Sequence, residues 1–213
     1  MRGPKYLVLA LGIAFALVVT ACTPKQSSNS SVLFEDDFSK SSSGWDSYSD
    51  ADGLTDYVDG TYHIQVANSN YDLWANPGKS FTDVQTEVDA TKVSGPDDND
   101  FGLICRYTDA DNYYFAVVAS DGYYGFGKLV KGTQTLLGAD SGLSTTDLVK
   151  SGSELNHLRF DCIGSTLTLY INGSQAGSIE DSDLASGDVG LIAGTFDTAG
   201  VEIKFDNFKV LKP

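Results

Sequence analysis

From Val32 onward the chain is a succession of short runs rich in Val, Ile, Tyr, Phe and Thr, separated by clusters of Gly, Asp, Asn and Ser. Within the runs apolar residues recur at alternate positions, the period of a strand, and the three-to-four spacing of an amphipathic helix is hard to find. That period predicts an all-β chain. Asp121-Gly122 separates Tyr113–Ser120 from Tyr123–Val130, and Asn172-Gly173 separates Thr166–Ile171 from Ser174–Ile179. Both dipeptides suit the two positive-φ positions of a type I′ hairpin turn. Further strands are expected at Thr61–Ala67, Asp83–Val93, Asp100–Tyr107, Asn156–Ile163, Val189–Thr195 and Val201–Leu211. With the four hairpin arms these make ten. One open antiparallel sheet of that width would leave a face unburied, so residues 32–213 are expected to form a two-sheet antiparallel β-sandwich.

Alternation also sorts residues by face. In Gly102–Tyr107, Ile104 and Arg106 fall on one side and Leu103, Cys105 and Tyr107 on the other; in Asn112–Ala119, Tyr113, Phe115 and Val117 oppose Tyr114, Ala116 and Val118. Arg106 is the informative residue, because a charged side chain in a central strand must pair with an acid or face a wet surface.

Ahead of the strands the chain has a different character. Arg2 and Lys5 precede Tyr6–Thr20, a charge-free apolar run too short to span a bilayer comfortably and suited to the hydrophobic region of a secretory signal. The run ends in Val19-Thr20-Ala21-Cys22, which resembles the lipobox of bacterial lipoproteins. That resemblance implies removal of residues 1–21 and diacylation of Cys22, hence an extracytoplasmic protein lipid-anchored to the bacterial cell membrane or outer membrane; an ordinary signal peptide with an incidental Cys is the alternative. Acyl chains anchor by about 0.8 kcal/mol per buried CH₂. Thr23–Ser31 is polar and aperiodic, so residues 22–31 read as a lipidated Cys and flexible tether.

Charge removes whole classes of partner. With 29 Asp and Glu against 14 Lys and Arg, a formal net charge of −15 and no basic block, nucleic acid and anionic head groups would repel the chain. Cysteine use agrees with export. Once Cys22 is assigned to lipid, Cys105 and Cys162 remain, an even pair in an oxidising compartment, and a disulfide between them is expected; two buried thiols are the alternative. Neither CxxC nor Cys/His zinc spacing occurs.

The order of elements resembles the concanavalin A-like lectin/glucanase sandwich in its laminin-G-like bacterial form. The residues that carry the resemblance are Phe34-Glu-Asp-Asp-Phe38 with Gly44-Trp45, Tyr57–Tyr62, Phe101–Tyr107 followed by Asn112-Tyr-Tyr114, Asn156-His-Leu-Arg159, Leu169–Gly173, Gly187–Leu191 and Phe205-Asp-Asn-Phe208. It implies a jelly roll whose concave face often binds saccharide, in a family running from lectin-like modules to glycosidases and a keto-disaccharide hydrolase group. The glucanase branch carries nucleophile, helper and acid/base as Glu-x-Asp-x-x-Glu on one strand. Here Glu87-Val-Asp89 fits, but Lys92 holds the third position, and a Lys can serve neither as nucleophile nor as acid at a glycosidic oxygen. A non-enzymatic reading follows.

The acids cluster in turn-like segments. Related sandwich modules share a structural calcium between first and last strands, which here would use Asp36 or Asp37 with Asp206; otherwise these acids are ordinary turn residues, and no cofactor is expected beyond such a calcium. Eleven Tyr and two Trp exceed what a core prefers, because each needs a partner for its polar tip. Tyr71, Trp74, Arg106, Tyr114 and Tyr124 are therefore the candidate ligand-binding residues, for a glycan or cell-envelope polymer. A glycoside or keto-sugar hydrolase, and a structural or protein-interaction module of the envelope, are the alternatives.

Overall fold

The computed structural model describes residues 31–138 and 142–213; the leader, Cys22 and all of the tether except Ser31 lie outside the described residues. Its strands are β1 (Val32–Asp36), β2 (Tyr48–Ser49), β3 (Gly53–Val58), β4 (Thr61–Val66), β5 (Tyr71–Ala75), β6 (Val84–Ser94), β7 (Asn99–Asp109) and β8 (Asn112–Val118), then β9 (Tyr123–Val130), β10 (Thr133–Leu137), β11 (Ser144–Thr145), β12 (Asn156–Ile163), β13 (Thr166–Ile171), β14 (Ser174–Glu180), β15 (Asp188–Thr195) and β16 (Val201–Leu211). No helix occurs among the described residues. The ten expected strands are all present; the additional ones are mostly short or lie at edges.

Two antiparallel sheets result. A nine-stranded sheet runs β14-β13-β12-β6-β16-β4-β3-β2, with β1 also paired to β16, and a seven-stranded sheet runs β10-β9-β8-β7-β15-β5, with β11 on β9. The fold is the two-sheet antiparallel sandwich that the alternation implied, in the jelly-roll form that the resemblance implied. Between the sheets, Leu103, Tyr114, Ala116, Val118 and Leu191 pack against Val88, Leu158, Phe160, Leu169 and Phe205, all buried. Each large apolar side chain taken from water contributes about 1.5–3 kcal/mol. Cys105 on β7 and Cys162 on β12 form a disulfide, which ties one sheet to the other across a sequence separation of 57. A loop of that length corresponds to about 4 kcal/mol in the chain-entropy account.

One hairpin matches its expected turn and one does not. Asn172 (φ 51°) and Gly173 (φ 83°) form the type I′ pair between Ile171 and Ser174. At Asp121-Gly122 only Gly122 is left-handed (φ 98°), and its N–H donates to the Ala119 carbonyl (3.0 Å), so the loop is wider. Asn99 accounts for the difference: its Oδ1 accepts from the Ser120 N–H at 3.1 Å and draws the loop toward β7.

A larger correction concerns β7. Tyr107 pairs with Asp188 of β15 and Ile104 with Gly190, so three steps on β7 oppose two on β15. The extra residue is a β-bulge at Arg106, whose backbone is left-handed (φ 54°). Tyr107 consequently falls on the same face as Ile104, not opposite it, and both pack in one apolar cluster. Arg106, 3% exposed, is buried and pairs with an acid, the first of the two fates expected for it, while bonding chiefly to backbone carbonyls. Its guanidinium donates to the carbonyls of Leu184 (2.8 Å) and Gly164 (2.6 Å), with Asp83 Oδ1 at 3.5 Å.

Candidate functional site

In a two-sheet sandwich each sheet needs only its inner face to be apolar, so an apolar outer face requires explanation. The seven-stranded sheet has one. Alternation directs Asp72 and Trp74 of β5, Gly190, Ile192 and Gly194 of β15, and Asp100, Gly102 and Ile104 of β7 away from the core. Tyr113, Phe115 and Val117 of β8 follow the same rule. A second hydrophobic cluster forms there, with Ile104, Tyr113, Phe115, Val117 and Ile192 buried and Trp74, Tyr107, Leu129, Leu136 and Leu143 packed on it. Tyr113 is its centre, with ring centroids 5.7 Å from Trp74, 5.8 Å from Tyr107 and 6.2 Å from Phe115.

Two features make this face more than a satellite core. Among the described residues the hydroxyls of Tyr113 and Tyr107 and the indole N–H of Trp74 make no hydrogen bond within the protein, which leaves them to solvent or a ligand. The second is a pair of acids. Gly194 of β15 pairs with Asp72 on one side and Asp100 on the other. A methyl group at Gly194 would stand 2.0 Å from Asp72 Oδ1 and 2.4 Å from Asp100 Oδ1, so any side chain there would displace the carboxyl groups, and the two oxygens are no farther apart than the sum of those distances. Burial pushes the Asp72 carboxyl up to about 6. Burial, and then the charge of Asp72, holds Asp100 well above the usual carboxylate range. The Tyr113 phenol is raised as well, first by burial and then by Asp72, Tyr107 and Asp100.

One row farther along the same face lies an open cleft of about 530 Å³ lined by Asp98, Ala119, Asp121, Tyr123, Leu143 and Phe196. Asp98 stands two residues before Asp100, Ala119 two after Val117 and Phe196 two after Gly194, so the alternation that exposes the acid pair also lines the cleft.

Of the five residues proposed from sequence, Trp74 lies on this face. Tyr71, of the opposite parity on the edge strand β5, is 37% exposed and turns its hydroxyl to donate to Asp52 Oδ2 at 3.1 Å. The other three point elsewhere. Tyr114 is buried between the sheets, donates to Asp181 and accepts from the Leu184 N–H (3.1 Å). Tyr124 packs inward against Phe126 (6.4 Å), and Arg106 serves the bulge. Glu87 and Asp89 lie on the outer face of the opposite sheet, beside His157. β1 and β16 do run side by side, with Asp36 opposite Phe208. Asp36, however, spends its carboxylate on the Trp45 indole N–H (2.9 Å) and the Phe38 amide (2.8 Å), and Asp37 bonds Ser39. Among the described residues no group of three or more His, Cys, Asp or Glu side chains converges. Asp72, Asp100 and Tyr113 escaped the sequence reading; the signal was that Asp72 and Trp74, like Asp100 and Ile104, are separated by even steps and so share a face.

The comparisons fit this architecture. The family model described as the 3-keto-alpha-glucoside-1,2-lyase-like domain matches residues 29–211. The chain belongs to that family. No curated protein matches it. Among solved structures, a 3-keto-alpha-glucoside-1,2-lyase-like domain of this sequence is similar in fold to carbohydrate binding module CBM66 from Bacillus subtilis, at 20% identity and a TM-score of 0.64 over 80% of this chain and 96% of that one. A Bacillus subtilis protein with a galectin-like fold aligns at 14% identity and a TM-score of 0.61, covering 85% and 96% of the two chains. A native glycosidic hydrolase aligns at 12% identity and a TM-score of 0.60, covering 83% and 94%. At these identities the likeness is one of fold.

Proposed function

We propose that this domain recognises a saccharide on the outer face of its seven-stranded sheet, without turnover, as an extracytoplasmic lipoprotein anchored through Cys22 to the cell membrane or outer membrane of a bacterium. The observation that carries the binding reading is the aromatic floor of Trp74, Tyr107 and Tyr113, whose polar tips are left without partners beside two acids. Such a floor stacks on the apolar faces of sugar rings while its tips and carboxylates meet their hydroxyls. The family and the fold it shares with a carbohydrate binding module support the same ligand class. Anchoring is supported by the apolar run and the lipobox-like tetrapeptide.

Trp74 supplies its own reporter, because Trp45, the other Trp, is buried in the core. Titrating the full chain with neutral and charged oligosaccharides should shift Trp74 fluorescence, and Trp74→Ala and Tyr113→Ala should each weaken calorimetric binding about tenfold or more. No binding of any oligosaccharide at millimolar concentration would sink this reading. Release of Cys22→Ser from the membrane fraction would support the anchor, and its retention there would refute it.

A second reading, turnover of a keto-sugar or glycoside, has one observation in its favour. A carboxyl raised to about 6 is poised as a general base near neutral pH. The pair is closer than the about 5–5.5 Å that a nucleophile and acid keep in retaining glycosidases. Product release from 3-keto-glucosides, abolished by Asp72→Asn, would establish it in place of the non-catalytic reading.

A further inference from the structure

We propose that the site is selective for a ligand carrying a protonated amine, an amino sugar with a free ammonium group, seated between Asp72 and Asp100 on the face that carries the Trp74 and Tyr113 rings. This rests on the saccharide reading above and narrows it. The two carboxyl groups face each other across Gly194, and among the described residues neither side chain has a hydrogen-bond donor. Asp100 Oδ1 is fully covered and unpartnered. Tyr113, 2% exposed, belongs to the aromatic cluster on the same face, near enough for Asp72 and Asp100 to raise its phenol.

Charge around the pair has one sign. The outward rows of β5, β15, β7 and β8 hold no Lys, Arg or His, and the adjoining cleft adds Asp98 and Asp121. The seven-stranded sheet's Lys128 is bonded instead to Asp181 and Asp183. Two buried acids so close cannot both ionise without repulsion, so they hold a proton; a single cation between them would favour both charged forms and meet their oxygens in its place. An ammonium fits that position on three counts. It brings three N–H donors where a hydroxyl brings one, charge-assisted bonds to carboxylate are about twice as strong as neutral ones, and the aromatic faces of Trp74 and Tyr113 attract cations. An acidic sugar is repelled. A calcium ion would need six to eight oxygens, and two carboxyl groups with one phenol fall short.

The test uses the full chain and four trimers of matched length: glucosamine, N-acetylglucosamine, glucose and galacturonic acid, followed by calorimetry and Trp74 fluorescence near neutral pH. The glucosamine trimer should bind about tenfold tighter than the acetylated and neutral trimers, with galacturonate weakest, and its advantage should shrink as salt rises. In Asp72→Asn and Asp100→Asn the ratio of glucosamine to glucose affinity should fall to about one. Salt dependence needs no variant and so keeps the test sharp if a variant misfolds. Equal affinity for the amino and neutral trimers would overturn the amine selectivity and leave the saccharide face standing. Absence of binding by all four would overturn both. A lysine-rich peptide binding as tightly as the glucosamine trimer, or calcium alone competing it off, would overturn the assignment to an amino sugar.

Discussion

The two outer faces of this sandwich are built on opposite rules. On the nine-stranded sheet, charge is matched between and along strands: His63 Nδ1 meets Glu202 at 2.7 Å and His157 Nδ1 meets Asp89 at 2.8 Å across neighbouring strands, and Arg159 bonds Asp161 of its own strand while its guanidinium lies 4.6 Å from the Tyr170 ring. That is what a half-exposed antiparallel sheet does with a face it does not bury. On the seven-stranded sheet, carboxyl faces carboxyl across Gly194 and aromatic rings fill the rows beyond. The core between the sheets already stabilises the fold, so the second apolar layer is more than folding asks for. Surplus apolar surface joined to unsatisfied polar groups is the mark of a binding surface.

Three substitutions test that contrast. Phe115→Ala should have the largest effect, because the ring is buried and lies where a methyl on Gly127 would come within 2.1 Å of it; a loss of about 3–5 kcal/mol in urea unfolding is expected. A loss below about 1 kcal/mol would mean that this layer is not packed as a core is.

Asp72→Asn comes next and depends on pH. The folded protein holds the Asp72 proton up to about pH 6, whereas the unfolded chain releases it at the usual value of 3.8. Folding stability from this group is therefore present below pH 4 and lost as pH rises toward 6. The variant lacks that loss, so its stability relative to the parent should improve by about 2 kcal/mol between pH 4 and pH 7. A difference independent of pH would show that the carboxyl is not held protonated. Smallest is Arg159→Ala on the ion-paired face, where about 0.5–1 kcal/mol is expected from a half-exposed pair and a ring contact. A larger loss in thermal unfolding would erase the distinction between the faces.

Much of this was legible in the residues. Alternation gave the strands, the sandwich and the sorting of Tyr113, Phe115 and Val117 from Tyr114, Ala116 and Val118, because a period of two needs no tertiary information. The even pair of Cys left in strands once Cys22 is set aside pointed to the disulfide that forms. The site was harder. Tyr114 and Tyr124 were chosen for their chemistry, but a tyrosine's role depends on the face it occupies, and the faces of neighbouring strands become known only with the register. The acid pair shows the same limit. Asp72 and Asp100 stand far apart in the chain and meet only because β5 and β7 both pair with β15. Arg106 misled for a different reason: a bulge breaks the period on which face assignment rests.

That bulge makes β7 a strand of two parities. Residues up to Cys105 keep one phase against β15 and Tyr107 keeps the other, with the single left-handed residue at Arg106 absorbing the offset. The strand is therefore sensitive to chain length at this point rather than to side-chain identity alone. Any residue able to hold the left-handed turn leaves Tyr107 in the aromatic floor. Removing one residue here, with every side chain otherwise intact, rotates Tyr107 into the interior and opens a gap beside Tyr113.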